Sequence, residues 1–211
     1  MKPSKIVCIG RNYAAHAREL GNDVPERPLL FLKPPSALLA SGERICLPPD
    51  SERVEHEGEI AIVIGQRVRH VAEAEALACV AGYAPLNDVT ARDLQKLDVQ
   101  FTRAKGFDTF CPVGAMGAAP GGDWRELEVR CRVNGEERQH GFAHQMVFGI
   151  PALIAYVSRI MTLEPGDLIA TGTPEGVGPL RPGDVVEVAI TGIGSVTNPV
   201  RAAETPTPNE S

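Results

Sequence analysis

Eighteen prolines and 21 glycines are spread through the 211 residues, cutting the chain into short apolar runs separated by turns. Such punctuation leaves room for many short strands and few long helices. Lys5 to Ile9 and Leu29 to Lys33 read as strands, being apolar and bounded by proline or glycine. Between them, Asn12 to Leu20 predicts a short helix, capped by Asn12 and ended by Gly21. Asn22 to Pro28 is charged, carries two prolines and lacks an apolar period, so an exposed loop able to move is expected. Glu59 to Ile64 is β-branched and closes at Gly65, as a strand does. Val71 to Ala81 predicts a helix. Leu127 to Val133, Asn134-Gly135 and Glu136 to Gln139 predict a hairpin with a type I′ turn.

Pro151 to Leu163 sets Leu153, Ile154, Val157, Ile160 and Met161 on one helix face, with Pro151 where a first-turn proline is tolerated. Glu164-Pro165-Gly166 stops that helix, and strands follow at Leu168 to Thr171, Asp184 to Ile190 and Ser195 to Arg201. Ala202 to Ser211 is a polar tail expected to be disordered. The length suits one domain, here residues 1–201. Strands outnumber helices without regular alternation, so the expected class is α+β, β-rich, with a mixed sheet rolled or sandwiched on itself.

Net charge is -6 with no long run of either sign, which argues against a nucleic-acid partner. No apolar stretch nears the roughly 20 residues that a membrane helix requires. The amino-terminal run Ile6 to Ile9 is too short for a signal peptide, so a cytosolic location is expected. Five cysteines, Cys8, Cys46, Cys79, Cys111 and Cys131, are odd in number and lack a C-x-x-C pair. They suggest reduced core residues rather than a disulfide framework or a zinc site.

Glu57 and Glu59 stand two apart at the mouth of a strand, so their side chains leave on one face. That spacing alone fits a solvated strand face as well as a cation cradle. The continuation Ile60 to Ile64 is apolar in both phases, which indicates burial on both faces, and buried carboxylates need partners. Asp88 adds a third acid at a strand-to-turn junction, although a turn or cap role is natural there too. Three hard oxygen donors would suit Mg²⁺ or Mn²⁺. His56, adjacent to Glu57, points to the other face of an extended strand and is not counted as a ligand. His16 and Glu19, three apart on the predicted short helix, share a face; a surface pair has the same spacing.

Six segments, in order from about Lys5 to Arg201, together resemble the fumarylacetoacetate hydrolase family. They are Gly10-Arg11-Asn12-Tyr13, Phe31-Leu32-Lys33-Pro34, His56-Glu57-Gly58-Glu59, Asn87 through Gln95, Ala104 through Asp108 and Thr171-Gly172-Thr173-Pro174. The chain resembles the family's short, single-domain members. The resemblance implies an α+β fold built on a β-roll, a homodimer, and Mg²⁺ or Mn²⁺ on Glu57, Glu59 and Asp88. It also implies that Lys105 acts as acid or base or binds a substrate oxygen, and that Arg92, Gln95 and Thr173 bind substrate. By the same resemblance, His16 and Glu19 form a lid-helix pair in which Glu19 orients His16 and His16 activates water. Pro85, three residues before Asp88, departs from the family's usual stretch and cannot donate to a sheet ladder.

These features lead to an expected enzyme that cleaves a C–C bond in small 2,4-dioxo acids of the acylpyruvate type. Oxaloacetate decarboxylation or tautomerisation, or isomerisation of a hydroxy-diene dicarboxylate, is the alternative on the same site. A non-catalytic module holding Ca²⁺ for structural reasons would leave Lys105, Thr173 and the His16/Glu19 pair unexplained.

Overall fold

The computed structural model describes residues 2–202. The first part of the chain forms β1 (Ile6–Gly10), α1 (Ala14–Glu19), β2 (Leu29–Lys33), β3 (Leu38–Leu39), β4 (Ile45–Leu47) and β5 (Val54–His56). The middle supplies β6 (Gly58–Ile64), β7 (Val80–Asn87), β8 (Thr90–Ala91), α2 (Arg92–Leu97), α3 (Thr102–Gly106) and β9 (Cys111–Pro112). The last part contains β10 (Glu128–Val133), β11 (Glu136–Phe142), α4 (Ile150–Ile160), β12 (Leu168–Ala170), β13 (Gly178–Pro179), β14 (Val185–Ile190) and β15 (Gly194–Ala202).

Two five-stranded sheets dominate, ordered β2-β1-β12-β6-β7 and β11-β10-β14-β15-β4. The first is mixed, since β1 runs parallel to β12 while β12 and β7 run antiparallel to β6. The fold is α+β and strand-dominated, as expected.

The two-phase apolarity of β6 has the cause the sequence suggests. Ile60, Ile62 and Ile64 join the main core with Val129, Val188, Ile190 and Val196 of the second sheet. Ala61 turns to a second cluster with Ile6, Cys8 and Leu86. Ile60 and Ile62 have no exposure, and each such side chain contributes roughly 1.5–3 kcal/mol. This strand is therefore a rigid base for whatever its first residues carry. Pro85 sits in β7 opposite Ile60, and β7 ends its sheet, which is where a proline is tolerated within a strand.

The hairpin at Asn134-Gly135 has positive φ at both turn residues (55° and 80°), the type I′ geometry. Four expectations change. Asn12 does not cap α1; its amide donates to Phe148 O and Thr171 O and accepts from Phe148 N, a tertiary cross-link that outcompetes a local cap. Val71 to Ala81 is not an α-helix: Glu73–Cys79 forms 3₁₀ turns, and β7 begins at Val80. The 3₁₀ form rises about 2.0 Å per residue against 1.5 Å, which suits a short link delivering Val80 to its partner Ile64. In α4, Leu153, Ile154 and Val157 are buried, but Ile160 is 56% exposed. Ala202, expected to open the disordered tail, still pairs in β15, and the rest of that expectation, residues 203–211, lies outside the described residues.

Candidate metal centre and active site

Glu57 links β5 to β6 and Glu59 is the second residue of β6, so extended geometry sends both side chains to one side. The β6–β7 register sets Gly58 opposite Asn87 and brings Asp88 alongside. Asp88 N donates to Glu57 O (2.8 Å), and Glu57 N donates to Asn87 Oδ1 (3.0 Å). The three carboxylates each offer an oxygen within 4.8 Å of the others, and all three residues are buried. Like charges this close, away from water, require compensation.

Lys105, on α3, donates to Glu57 Oε2 (2.8 Å) and Asp88 Oδ2 (2.7 Å). Lys33, the last residue of β2, donates to Asp88 Oδ1 (2.6 Å) and Val89 O (3.1 Å). Arg92, opening α2, donates through Nε to Glu55 Oε2 (2.6 Å) and through its terminal nitrogens to Glu57 and Gln95. Glu59 differs. Its Oε2 accepts the Gly172 N–H (2.8 Å), and it forms no salt bridge among the described residues.

The electrostatics follow this division. Burial opposes ionisation of Glu57, but Lys105 and Arg92 outweigh it and hold the carboxyl well below its ordinary value. Burial, then Asp88 and Glu57, pushes Glu59 well above the usual carboxylate range. Burial opposes charge on Lys105, yet Asp88 and Glu57 keep its ammonium form. A buried carboxylate without a salt-bridge partner, beside two more anions, is a deficit that a hard divalent cation would fill. The donor set of Glu57, Glu59 and Asp88 therefore fits Mg²⁺ or Mn²⁺.

A cavity of about 360 Å³ opens on this cluster and is lined by all nine residues singled out from the sequence: His16, Glu19, Glu57, Glu59, Asp88, Arg92, Gln95, Lys105 and Thr173. His16 is buried on α1, with Nδ1 3.3 Å from Glu19 Oε2, while Glu19 also accepts the Gly176 N–H (3.0 Å). An ionised carboxylate only accepts, so Nδ1 is the donor in this contact, and in the neutral ring that tautomer leaves Nε2 a lone pair. Phe31 meets Phe101 edge to face (centroids 5.5 Å apart), and the Lys105 ammonium lies 5.0 Å from the Phe31 centroid. Thr173 follows Gly172, whose φ of 95° disfavours a side chain. Arg11, itself at φ 58°, and Lys96 also line the cavity and carry no ion pair among the described residues.

Arg92 is placed differently from a free clamp for a substrate carboxylate, because Glu55, Glu57 and Gln95 occupy its guanidinium. Sequence reasoning passed over Lys33, Glu55 and Gln139. Glu55 continues the alternation of Glu57 and Glu59, a signal that was present; Lys33 lies in a quoted motif without a local sign of burial. His56 turns away from the carboxylates, as expected, its Nδ1 3.0 Å from Gln139 Oε1. No helix among the described residues is long and apolar enough to cross a membrane.

Residues 5–201 match the family model described as fumarylacetoacetate (FAA) hydrolase C-terminal. The chain is 48% identical to the mitochondrial oxaloacetate tautomerase FAHD1 of Arabidopsis thaliana, over 92% of this chain and 89% of that one. It is similar to the crystal structure of 5-carboxymethyl-2-hydroxymuconate delta-isomerase from Mycobacterium smegmatis, with TM-score 0.89 and 46% identity over 97% of this chain and 81% of the other. A Pseudomonas aeruginosa fumarylpyruvate hydrolase, crystallised with Mn²⁺ and pyruvate, has TM-score 0.89 and 33% identity, covering 95% of this chain and 91% of the other.

Proposed function

The chain belongs to the fumarylacetoacetate hydrolase family, and on that premise we propose that it is a Mg²⁺- or Mn²⁺-dependent enzyme interconverting enol and keto forms of a small oxo dicarboxylate, oxaloacetate above all. The observation that carries this reading is the cavity's charge pattern. Three carboxylates that fit a divalent cation share the cavity with Arg11 and Lys96, two cations free of ion pairs among the described residues. A 2-oxo acid with a second, distal carboxylate satisfies both halves. The 48% identity to an oxaloacetate tautomerase supports the same choice over hydrolysis, whose relative stands at 33%.

When bound, the divalent cation supplies Lewis-acid polarisation of the 2-oxo acid group. The side chains handle the proton. Interconversion moves one proton between the 2-oxygen and C3, and His16, with Nε2 free and Nδ1 held by Glu19, is the base at the cavity wall. Lys105 is the buried ammonium that returns a proton and holds negative charge on oxygen, and the protonated His16 and neutral Lys105 are reset by exchange with solvent water between turnovers. The aromatic pair Phe31 and Phe101 keeps that wall apolar.

The His16–Glu19 geometry favours a second reading, cleavage of 2,4-dioxo acids. There His16 takes a proton from water, the water oxygen bonds to C4, the C3–C4 bond breaks with its electron pair left on C3, and the proton held by His16 is delivered to C3. The products are a carboxylic acid and pyruvate. A homodimer belongs to the proposal as well. Its support is exposed apolar surface at Leu32 on the free edge of β2, at Leu97, which ends α2, and at Val99 between α2 and α3.

A panel of oxaloacetate, acetylpyruvate, fumarylpyruvate and a hydroxy-diene dicarboxylate, followed by enol absorbance and product identification, tests the choice. Oxaloacetate turnover that stops with chelator and returns with Mg²⁺ is expected to exceed cleavage of acetylpyruvate. Acetylpyruvate cleavage dominating the panel would sink the tautomerase reading. His16→Ala is expected to lose enolisation along with cleavage; loss of cleavage with enolisation retained would remove His16 as the base of tautomerisation and assign it water activation alone.

A further inference from the structure

Gly58, between the two glutamates of the metal cluster, presents its N–H and C=O on the side where β12 pairs with β6. That partner has already gone. β12 ends at Ala170, opposite Ala61, and after Thr171 has bonded to Ile60 O the chain turns away at Gly172. An unpaired peptide buried at this point would cost about 1–3 kcal/mol per group and would let the Glu57-Gly58-Glu59 backbone shift.

One side chain from the other sheet closes the gap. Gln139, on β11 and 2% exposed, accepts the Gly58 N–H at 2.9 Å through Oε1 and the His56 Nδ1–H at 3.0 Å. Its Nε2 donates to Thr173 Oγ1 at 2.7 Å and to Pro174 O at 2.8 Å. Thr173 Oγ1 in turn donates to Gly58 O at 2.9 Å. The amide orientation is fixed by its backbone partners, since Gly58 N only donates and Pro174 O only accepts. A closed ring results, in which the Gln139 amide stands where the next peptide of β12 would have been. β10 presses on the same spot: a Cβ on Gly58 would lie 2.9 Å from Cys131 Cβ.

Resting on the metal-dependent reading above, we propose that Gln139 is a positioning residue that serves as a surrogate strand peptide, fixing the spacing of Glu57 and Glu59 through Gly58 and the hydroxyl of Thr173 through Nε2. A second consequence follows for Thr173. Its proton is committed to Gly58 O and one lone pair to Gln139, so toward the cavity it offers an acceptor. It is thereby suited to receive a hydroxyl or ammonium proton, rather than to donate to a carboxylate.

The test compares the parent with Gln139→Glu and Gln139→Met by Mn²⁺ titration followed by EPR, by Gly58 amide exchange, by thermal midpoint, and by KM and kcat on the preferred oxo acid. Glutamate keeps the acceptor for Gly58 and loses both donors; methionine keeps the length and loses all four bonds. Gln139→Met is expected to weaken Mn²⁺ binding by about 10–100-fold, the range seen when a ligand's supporting hydrogen bonds are removed. Gln139→Glu is expected to keep Mn²⁺ affinity close to the parent's and to raise KM more than it lowers kcat. Thr173→Val should reproduce that KM rise, and the double variant should not add to it. Unchanged Mn²⁺ affinity and Gly58 exchange in Gln139→Met, or fully additive effects in the Gln139/Thr173 cycle, overturns the proposal. If the methionine variant does not fold, the Gln139→Glu and Thr173→Val cycle decides. A parent that binds no Mn²⁺ removes the metal reading instead, while Gly58 exchange still reports on Gln139.

Discussion

Lys33 and Asp88 form an ion pair from which water is excluded: the lysine Nζ lies 2.6 Å from Asp88 Oδ1, and neither side chain has any exposure. Removing Lys33 leaves Asp88 only the Lys105 ammonium, which Glu57 shares. Lys33→Met should therefore cost stability in metal-free protein, up to the roughly 3–5 kcal/mol of a broken buried pair, read as a lower urea midpoint. An unchanged midpoint would mean that Asp88 is neutral or finds water.

Lys105 donates to two of the three acids that fit a cation, so it competes with the ion for Glu57 and Asp88 while supplying the proton for turnover. Lys105→Met is expected to separate these roles. Mn²⁺ affinity should be equal to the parent's or tighter, and kcat should fall by about 10²- to 10⁴-fold, the usual contribution of acid–base catalysis. Loss of Mn²⁺ binding in this variant would show that the lysine supports the ion.

Arg11 lines the cavity at positive φ without an ion pair among the described residues. If it receives a distal carboxylate, Arg11→Met should lower kcat/KM for oxaloacetate by roughly 10- to 150-fold, the worth of one charged hydrogen bond at about 1.5–3 kcal/mol. Acetylpyruvate, which has no distal carboxylate, should be affected little. Equal losses on both substrates would assign Arg11 to the shared part of the site or to the fold.

Asp167 gathers the amino-terminal strand onto the sheet. Its Oδ1 accepts Ser4 N (2.8 Å), Ser4 Oγ (2.7 Å) and Lys5 N (3.1 Å), and its Oδ2 accepts Glu164 N (2.8 Å) and the Lys5 ammonium. Burial works against its charge, but the Lys5 ammonium, Glu164 N–H and Ser4 outweigh it and hold the carboxyl below its ordinary value. A depressed folded-state value means that the stabilisation is complete above the unfolded value of about 3.9 and is lost as pH falls through the folded one. Asp167→Asn should cost about 1–3 kcal/mol at neutral pH, with the gap to the parent closing below about pH 4. A gap that stays constant down to pH 2 would contradict the assignment.

Much of this site could be read from short spacings. Glu57 and Glu59 share a strand face, the apolar run after them requires burial, and Asn134-Gly135 demands a type I′ turn; each is a local rule, and each appears in the fold. What escaped depends on distant partners. Lys33 meets Asp88 across 55 residues and Gln139 meets Gly58 across 81, so neither leaves a periodic trace. Asn12 has the sequence position of a helix cap, but Thr171 O and Phe148 compete for its amide and win. Arg92, a substrate-binding position by resemblance, is engaged by Glu55 from β5 across 37 residues, a pairing that no local pattern announces. The carboxylates are thus legible from spacing and Lys105 and Arg92 from the family resemblance, whereas Lys33 and Gln139, which complete their support, are not.

The most direct test of the metal centre is a Mn²⁺ titration, followed by EPR, of the parent and Glu59→Gln. Glu59 is the suitable position because it forms no salt bridge among the described residues, so its neutralisation strands no lysine or arginine. The expected result is one Mn²⁺ per parent chain and affinity weaker by at least about 100-fold in Glu59→Gln, at an unchanged or higher thermal midpoint. Equal Mn²⁺ affinity in the two proteins would contradict a cation held by Glu57, Glu59 and Asp88.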